Sequence, residues 1–493
     1  MKRSSIKINA FLNAFRTLIN ILFPLITFKY ASYILKAPNL GKVNFSSSII
    51  SYFVLIADFG IATYAAREGA KYRSNYKLFN TFASEIYSIN IISTLISYIL
   101  LFLLLFNWPK LYVYKWILFI QSISLIFTAV GATWVNIVNE DYKSILIRSL
   151  TVQFISLILL FLLVHDKEAY HQYALVSVIA QSGANVMNAF YIKKYCTLRF
   201  KLSKGIWKHV KPLLIMFGIS VTTTIYVNSD TTMLGIFKTD ADVAYYSVAV
   251  KIYNVIKSIL AAVIIVGIPK LTELYFNENK SEYKSFAVNI LNMLLTFMLP
   301  LIAGVFVLSK EAILLISGVE YLQSVMTLRL LCFAVLFALL ASYITNIVIL
   351  PQGLEKGSLI AAAMSAIVNI LLNIYAVPKF GFNGAAVTTV ISELLVFVIE
   401  ACYVVKLEKD NIKLLIDKSV LKNISKTIMG VALFVFIDSL IMQCNINMIY
   451  RCLIIVCTSV IIYLVSMVLM GQEIVIQILK FLQSYRKRGV KDV

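Results

Sequence analysis

Apolar runs long enough to cross a lipid bilayer recur from one end of this 493-residue chain to the other. A helix needs about 20 apolar residues to span the hydrocarbon layer, and a helix satisfies its own backbone hydrogen bonds there. Only 14% of the residues are charged, which leaves too little polar surface for a soluble fold of this length. The pattern predicts an all-α polytopic membrane protein with about fourteen transmembrane helices. The predicted spans lie near 10–33, 43–63, 82–106, 113–136, 146–164, 170–192, 211–236, 243–267, 286–308, 328–350, 358–377, 384–405, 425–443 and 449–470.

The net charge of +21 is distributed unevenly between the loops. If the N-terminus is cytoplasmic, most of the 45 Lys and Arg residues fall on the inner side. This positive-inside bias predicts that both termini are cytoplasmic. We therefore interpret the basic segment 193–211 and the basic C-terminal tail as topology signals and contacts for anionic membrane lipids, and not as a nucleic-acid site.

The longest basic loop divides the first twelve predicted helices into six and six. The stretch beginning "EDYKSILIRSL" at 140 and the stretch beginning "LEKGSLIAAAM" at 354 have the same order of polar loops and apolar runs. Two such halves with six helices each are predicted to be related by a pseudo-two-fold axis along the membrane normal. The predicted organisation is an N-terminal six-helix lobe (1–192), a basic cytoplasmic linker (193–210), a C-terminal six-helix lobe (211–405), a cytoplasmic loop (406–424), helices 13 and 14 (425–470) and a basic cytoplasmic tail (471–493).

Polar residues form a stripe at helical spacing on the first two helices of each half. Lipid does not tolerate such a face, so these helices are expected to turn it toward one another or toward water. We predict a central cationic cavity, although Arg16 is also close enough to the cytoplasmic edge for its side chain to reach the headgroups. The substrate-binding candidates are Arg16, Lys251, Lys257, Asn13, Asn20 and Asn254.

Other charged residues within the spans are candidates for gating or coupling. Lys29 lies near the outer end of its span, where snorkelling to the headgroups is an alternative. Asp58 and Asp230 can instead cap a helix or hold a neighbouring cation, and either is an alternative ion-pair partner for Lys257. Glu393 lies deep in the twelfth span, where packing within the second half is an equal alternative.

Several functional classes are disfavoured by what the chain lacks. The six Cys residues contain no CxxC pair, so no metal site is predicted. No glycine-rich phosphate loop is present, and we expect neither a nucleotide nor another cofactor. No catalytic triad or carboxylate pair suggests an enzyme, and the outer loops are short for a membrane glycosyl polymerase.

The stretch "FPLITFKYASYILKAPNLGKVNFSSSIISYFVLIADFGIATYAAREGAK" (23–71) resembles the Wzx-type polysaccharide flippases of the MATE/MOP transporter superfamily. The stretch "PQGLEKGSLIAAAMSAIVNILLNIYAVPKFGFNGAAVTTVISELL" (351–395) is similar to the second-half signature of that family. Arg67 matches the family's basic position at the cytoplasmic end of the second span, which makes it a further gate candidate. One departure is that the family usually has Arg-Val-Leu-Gly after the first span, where this chain has Tyr33, Ile34, Leu35 and Lys36.

The resemblance implies a flippase in the bacterial cytoplasmic membrane. Such proteins carry undecaprenyl-pyrophosphate-linked oligosaccharide repeat units of O-antigen or capsule from the inner to the outer leaflet by alternating access. Polysaccharide polymerase and glycosyltransferases of the same pathway would be partners. A MATE-type small-molecule or multidrug exporter is the alternative, although cavities for organic cations should be acidic and aromatic, and the candidate stripes here are cationic.

Overall fold

The computed structural model describes residues 6–407, 414, 416–443, 447–472 and 474–476; among residues 6–22 only the side chain of Ile19 is described, and the side chain of Leu407 is not. Nearly every regular element in this part of the chain is an α-helix, joined by short 3₁₀ turns and one π-helix at Ile344–Ile349. The α-helices are α1 (Ile6–Asp58), α2 (Ile61–Gly69), α3 (Tyr76–Asn107), α4 (Pro109–Tyr112), α5 (Lys115–Gly131), α6 (Trp134–Val138), α7 (Tyr142–Leu163), α8 (Tyr170–Tyr191), α9 (Trp207–Phe237), α10 (Asp240–Phe276), α11 (Lys280–Val307), α12 (Ser309–Ser317), α13 (Ser324–Tyr343), α14 (Glu355–Leu407), α15 (Lys418–Met442) and α16 (Met448–Leu469).

Twelve helical segments among the described residues are long and apolar enough to cross a membrane. Two of them, Phe23–Gly69 and Glu355–Lys406, are about twice the usual length, and each covers two of the predicted spans. The prediction of an all-α, multi-pass membrane protein is therefore confirmed. The exact number of fourteen and the pseudo-two-fold symmetry stay predictions.

The chain forms two compact units. The first unit comprises Met1–Ser247 with the short segments Ile316–Glu320 and Ile370–Ala385, and the second comprises Val248–Leu315, Tyr321–Asn369 and Ala386–Val493. The predicted lobe boundaries stay predictions, and the basic tail beyond residue 476 lies outside the described part of the chain.

The two longest helices each contain one residue with non-helical dihedral angles. In α1 this residue is Lys36, with φ 64° and ψ 168°, and in α14 it is Gly381, with φ 57° and ψ −138°. Glycine has no Cβ to clash in this part of dihedral space, but a lysine does. The carboxylate of Glu320 accepts a hydrogen bond from the backbone N–H of Ala37 at 2.8 Å and so holds the strained bend from outside the helix. Lys36 occupies the place where the resembling family usually has glycine.

We expect Lys36→Gly to stabilise the protein, because glycine removes a strain that costs about 1–3 kcal/mol. A gain of about 1 kcal/mol should raise the Tm of the purified protein by roughly 2 °C. Lys36→Ala is the matched control, since it removes the same charge and side chain but keeps the Cβ, and it should give no gain. Equal Tm values for the two variants would show that the bend carries no strain.

Close approach of backbones defines the packing of the first unit. Helix α1 packs against α3, α5 and α9, and α8 packs against α5 and α7. Gly41 of α1 lies against the beginning of α10, where an added Cβ would be 1.7 Å from the carbonyl oxygen of Asp240. The Asp240 carboxylate accepts a hydrogen bond from Tyr114 at 2.7 Å, which joins the start of α10 to the N-terminal end of α5.

The segment between α8 and α9 is fastened to α3. Polar side chains recur every fourth residue on α3, a rise of about 6 Å along the helix. Two residues of extended chain advance by nearly the same distance, about 6.6 Å. Backbone N–H groups therefore meet these side chains in step: Thr197 donates to Asn80 at 2.8 Å, Arg199 to Ser84 at 3.4 Å and Lys201 to Ser88 at 2.8 Å. We call residues 197–203 the α3 strap. The basic linker is thus a packed part of the first unit in addition to any role as a topology signal.

A buried cluster secures the end of the strap to α9. The carboxylate of Glu85 on α3 accepts hydrogen bonds from Ser203 at 3.0 Å and pairs with Lys208 at 3.0 Å. His209 lies 3.1 Å from the same carboxylate through its Nε2, and its Nδ1 is 2.7 Å from the hydroxyl of Tyr64. Four elements are joined at this point, because the cluster links α2, α3, the strap and α9.

In the second unit, polar contacts between amides pack the C-terminal helices against α11. Asn423 of α15 donates to the carbonyl and the side-chain oxygen of Asn292 at 2.9 and 3.0 Å. Tyr463 of α16 donates to the carbonyl of Thr296 at 2.6 Å. Helices α15 and α16 are therefore integral to this unit.

Candidate functional site

The predicted substrate-binding residues of the first span lie outside the described side chains. Asn13, Arg16 and Asn20 belong to the first turns of α1, for which only the backbone is described. Their role in a cationic cavity stays a prediction.

A polar contact joins the second and seventh predicted spans inside the first unit. Thr232 of α9 donates to the hydroxyl of Ser48 in α1 at 3.0 Å, and Tyr52 lies 3.1 Å from the same threonine. Ser48 in turn donates to the carbonyl of Phe45 at 2.8 Å. This chain of hydroxyls joins α1 to α9, so part of the polar face is used for packing. Farther toward its N-terminus, α9 remains accessible, and Thr223 is exposed.

The two aspartates take part in separate arrangements. Asp58 is the last residue of α1, and Gly60 precedes the first residue of α2. The role of Asp58 as a helix cap or as the partner of a cation stays a prediction. Asp230 is buried in α9 and accepts hydrogen bonds from Tyr246 at 2.5 Å and Asn373 at 2.5 Å.

The two remaining cationic candidates of the first unit are exposed. Lys29 is exposed along α1, and Arg67 is exposed in the last turn of α2. A cation in the last turn also stabilises the negative end of the helix dipole.

In the second unit, Lys257 pairs with Glu393 at 3.0 Å. Tyr253, one turn earlier on α10, donates to the same carboxylate oxygen at 2.8 Å. The pair joins α10 to α14, and it differs from the ion pairs with Asp58 or Asp230 that the sequence suggested. Lys251 is partly buried on the same helix, and Asn254 is exposed between the two lysines.

No motif in the sequence predicted a role for Glu400. It lies two turns from Glu393 on α14 and is 1% exposed. Both of its carboxylate oxygens lie within hydrogen-bond distance of the Thr345 hydroxyl, at 2.8 and 2.9 Å. Thr345 belongs to the π-helix Ile344–Ile349, a type of helix that is often found at functional sites. The only signal in the sequence was an acidic residue near the end of an apolar run.

We expect Lys257→Met to destabilise the protein, because it leaves the buried carboxylate of Glu393 without its cation. Breaking a fully buried pair costs about 3–5 kcal/mol. The Lys257 side chain is 34% exposed, so solvent screening should reduce the loss to about 1–2 kcal/mol. Thermal unfolding of the purified protein measures the effect.

The double variant Lys257→Met/Glu393→Gln is the control for that change. It removes both charges and should regain most of the lost stability. If the single variant is as stable as the natural protein, the ion pair contributes nothing, and Lys257 is available for other partners.

Comparisons with known proteins bear on this arrangement. The family model described as "Polysaccharide biosynthesis protein" matches residues 6–275, which is more than half of the chain. The "Putative O-antigen transporter" of Shigella dysenteriae is 24% identical over 389 residues, covering 76% of this chain and 94% of that protein. The "Probable low-salt glycan biosynthesis flippase Agl15" of Haloferax volcanii is 25% identical over 228 residues, covering 45% of this chain and 47% of that protein.

Solved structures with low sequence identity have the same fold. The lipid II flippase MurJ in an inward closed conformation superposes with a TM-score of 0.75 at 17% identity, covering 94% of this chain and 100% of that chain. An inward-facing multidrug resistance MATE family transporter of the MOP superfamily has a TM-score of 0.59 at 14% identity, covering 81% of this chain and 99% of that chain. The solved structures show a shared fold, the family match and the O-antigen transporter confirm the predicted resemblance to Wzx-type polysaccharide flippases, and the chain belongs to the polysaccharide biosynthesis protein family.

Proposed function

We propose that this protein is a flippase for lipid-linked oligosaccharides. Its cargo would be an undecaprenyl-pyrophosphate-linked repeat unit, moved from the inner to the outer leaflet of the bacterial cytoplasmic membrane. The observation that carries the proposal is a cation, Lys251, retained inside an apolar span of a polysaccharide biosynthesis protein. The names of its relatives, an O-antigen transporter and a glycan biosynthesis flippase, support it.

The chemistry of the cargo accounts for intramembrane cations. A pyrophosphate is an anion that Lys and Arg bind through charge-assisted hydrogen bonds. A cation in the hydrocarbon layer is costly and is retained where function requires it. We assign the main attraction for the pyrophosphate to Lys251 and Arg16, and Lys257, which pairs with Glu393, would contribute less. Asn13, Asn20 and Asn254 would supply hydrogen bonds to the sugars.

The gate candidates fit this scheme at different points. Arg67 is exposed at the end of α2, where it can attract the anionic headgroup before entry. Lys29 would act on the other membrane face, given cytoplasmic termini. Asp230 holds hydrogen bonds and Glu393 holds an ion pair that a change between alternating states would have to keep or break. Asp58 lies at the junction of α1 and α2, where a movement between these helices would act. Glycosyltransferases would supply the cargo and a polymerase would consume it, so the protein itself needs no catalytic residues.

Surface polysaccharide in a strain that lacks its own flippase tests the proposal. Expression of this protein should restore the polysaccharide, provided that the glycosyltransferases of its own repeat unit are present. Normal protein abundance without any restoration would contradict the proposal. Raised resistance to organic cations in the same strain would instead assign it to the small-molecule exporters.

A further inference from the structure

A polar cavity of about 280 Å³ lies inside the first unit, among α1, α7, α8 and the turn between α5 and α6. Its walls come from apolar, membrane-length helices, so polar side chains here are as costly as those of the predicted central cavity. Seven of its eleven lining residues carry polar side chains: Thr133, Arg148, Ser149, Gln153, Gln181, Asn185 and Asn188.

Arg148 provides the positive charge at this cavity. Its side chain is 7% exposed, and its guanidinium lies 4.7 Å from the ring centre of Tyr191, as in a cation–π contact. Asp141, just before α7, accepts hydrogen bonds from Tyr191 at 2.8 Å and Tyr195 at 2.7 Å and caps α7 through the N–H of Ser144. Burial raises the pKa of Asp141, but these hydrogen bonds outweigh it and leave the pKa below its usual value. The carboxylate thus stays charged and orients the tyrosine that supports Arg148.

The amides of the cavity are positioned by α5's C-terminal end. Thr133 donates to the side-chain oxygen of Asn185 at 3.0 Å, and the side-chain nitrogen of Asn188 donates to the carbonyl of Gly131 at 2.5 Å. Asn188 is 1% exposed, and its Oδ1 has no hydrogen-bond partner among the described residues. The buried Oδ1 of Asn188 can therefore accept a hydrogen bond from a hydroxyl group of a ligand.

From this combination we propose that the cavity binds one sugar residue carrying a carboxylate or a phosphate, with its anion on Arg148 and a hydroxyl on Asn188. Guanidinium groups match both anions in geometry, and amides bind sugar hydroxyls. The volume is at the small end of ligand pockets, about 300–1,000 Å³, and therefore suits one ring rather than an oligosaccharide. The inference rests on the proposed function for the source of its ligand, since a repeat unit with an acidic sugar would supply it, but binding itself can be measured separately.

Ligand-induced thermal stabilisation of the purified protein tests the proposal. The probes are glucuronate, glucose 1-phosphate and glucose, titrated at millimolar concentration. We expect at least one of the two anionic sugars to raise the Tm in a saturable way, and glucose to bind at least tenfold more weakly. The comparison between glucuronate and glucose 1-phosphate identifies the anion.

Variants assign the binding to the cavity. Arg148→Gln should weaken the anionic sugar at least tenfold, whereas Arg73→Gln, a basic residue of the same unit that pairs with Glu140, should leave binding unchanged. If Arg148→Gln does not fold, Ala184→Leu fills the cavity without changing a charge and should abolish binding. No stabilisation by either anionic sugar, equal binding of glucose, or unchanged binding in these cavity variants would overturn the proposal.

Transport measured in parallel separates this inference from the proposed function. Restored surface polysaccharide together with absent binding would reject the cavity and keep the flippase. Binding that depends on Arg148, together with absent transport, would keep the cavity and reject the flippase.

Discussion

Lys251→Glu should abolish transport, with surface polysaccharide in the complemented strain reduced at least 100-fold. The reversed charge repels the pyrophosphate that the lysine attracts, and each tenfold loss corresponds to about 1.4 kcal/mol. Lys251→Ala removes the attraction without adding repulsion and should cost about tenfold. Arg16→Ala should be similar, whereas Arg16→Lys should be partly active, because it keeps the charge and loses the bidentate geometry.

The matched control is Lys270→Ala, on the same helix. Lys270 is exposed and pairs with Glu273 at 3.5 Å, so its loss should leave transport unchanged. Membrane abundance of Lys251→Ala should hold, since replacing a cation by alanine in an apolar span relieves an insertion cost of about 2.5–3.5 kcal/mol. Full transport by Arg16→Ala/Lys251→Ala at normal abundance would show that these cations are structural.

Gly41→Ala should prevent folding. The new Cβ would be placed 1.7 Å from the carbonyl oxygen of Asp240, and neither group is the end of a flexible side chain that can move aside. Overpacking in a core usually costs about 1–3 kcal/mol, and a clash between two backbones should exceed this range. We expect the variant to be absent from the membrane fraction or to aggregate in detergent, as size-exclusion chromatography of a fluorescent fusion would show.

Gly218→Ala provides the comparison for this change. Gly218 lies within α9 with no neighbouring atom within 4 Å of an added Cβ. Alanine is the better helix former, so this variant should be at least as abundant as the natural protein. Normal folding of Gly41→Ala would mean that α1 and α10 can separate without loss of the first unit.

The helices were predictable from the sequence because the bilayer imposes one length and one kind of backbone structure. The bend at Lys36 was not, because a lysine carries no local signal for a positive φ. The only sign of the bend in the sequence was that Lys36 occupies a position where the family that the chain resembles usually has glycine. The pairing of Lys257 with Glu393 was also beyond local pattern, since the two residues are 136 positions apart and the partners suggested by the sequence were Asp58 and Asp230.

Two polar patterns are present in the sequence, but the interactions that they make in the structure differ from those predicted. The four-residue spacing of Asn80, Ser84 and Ser88 on α3 could have indicated a partner, but the basic linker was interpreted through its charge alone. Arg148 and the amides of α8 also form a polar face in apolar helices. The cavity predicted from the sequence is built from the first two helices of each half, and these residues belong to none of them.

The α3 strap determines where a reporter can be inserted into this protein. A loop between two membrane helices is the usual choice for an epitope tag or a fluorescent protein, and 193–210 is the longest basic one. An insertion between residues 199 and 200 would shift the backbone donors out of step with the side chains of α3 and detach the beginning of α9. The exposed turn at Asn277 and Glu278 has described backbone hydrogen bonds only with the adjoining residues of α10 and with Lys280 at the start of α11, so an insertion between Asn277 and Glu278 is the better choice for topology reporters.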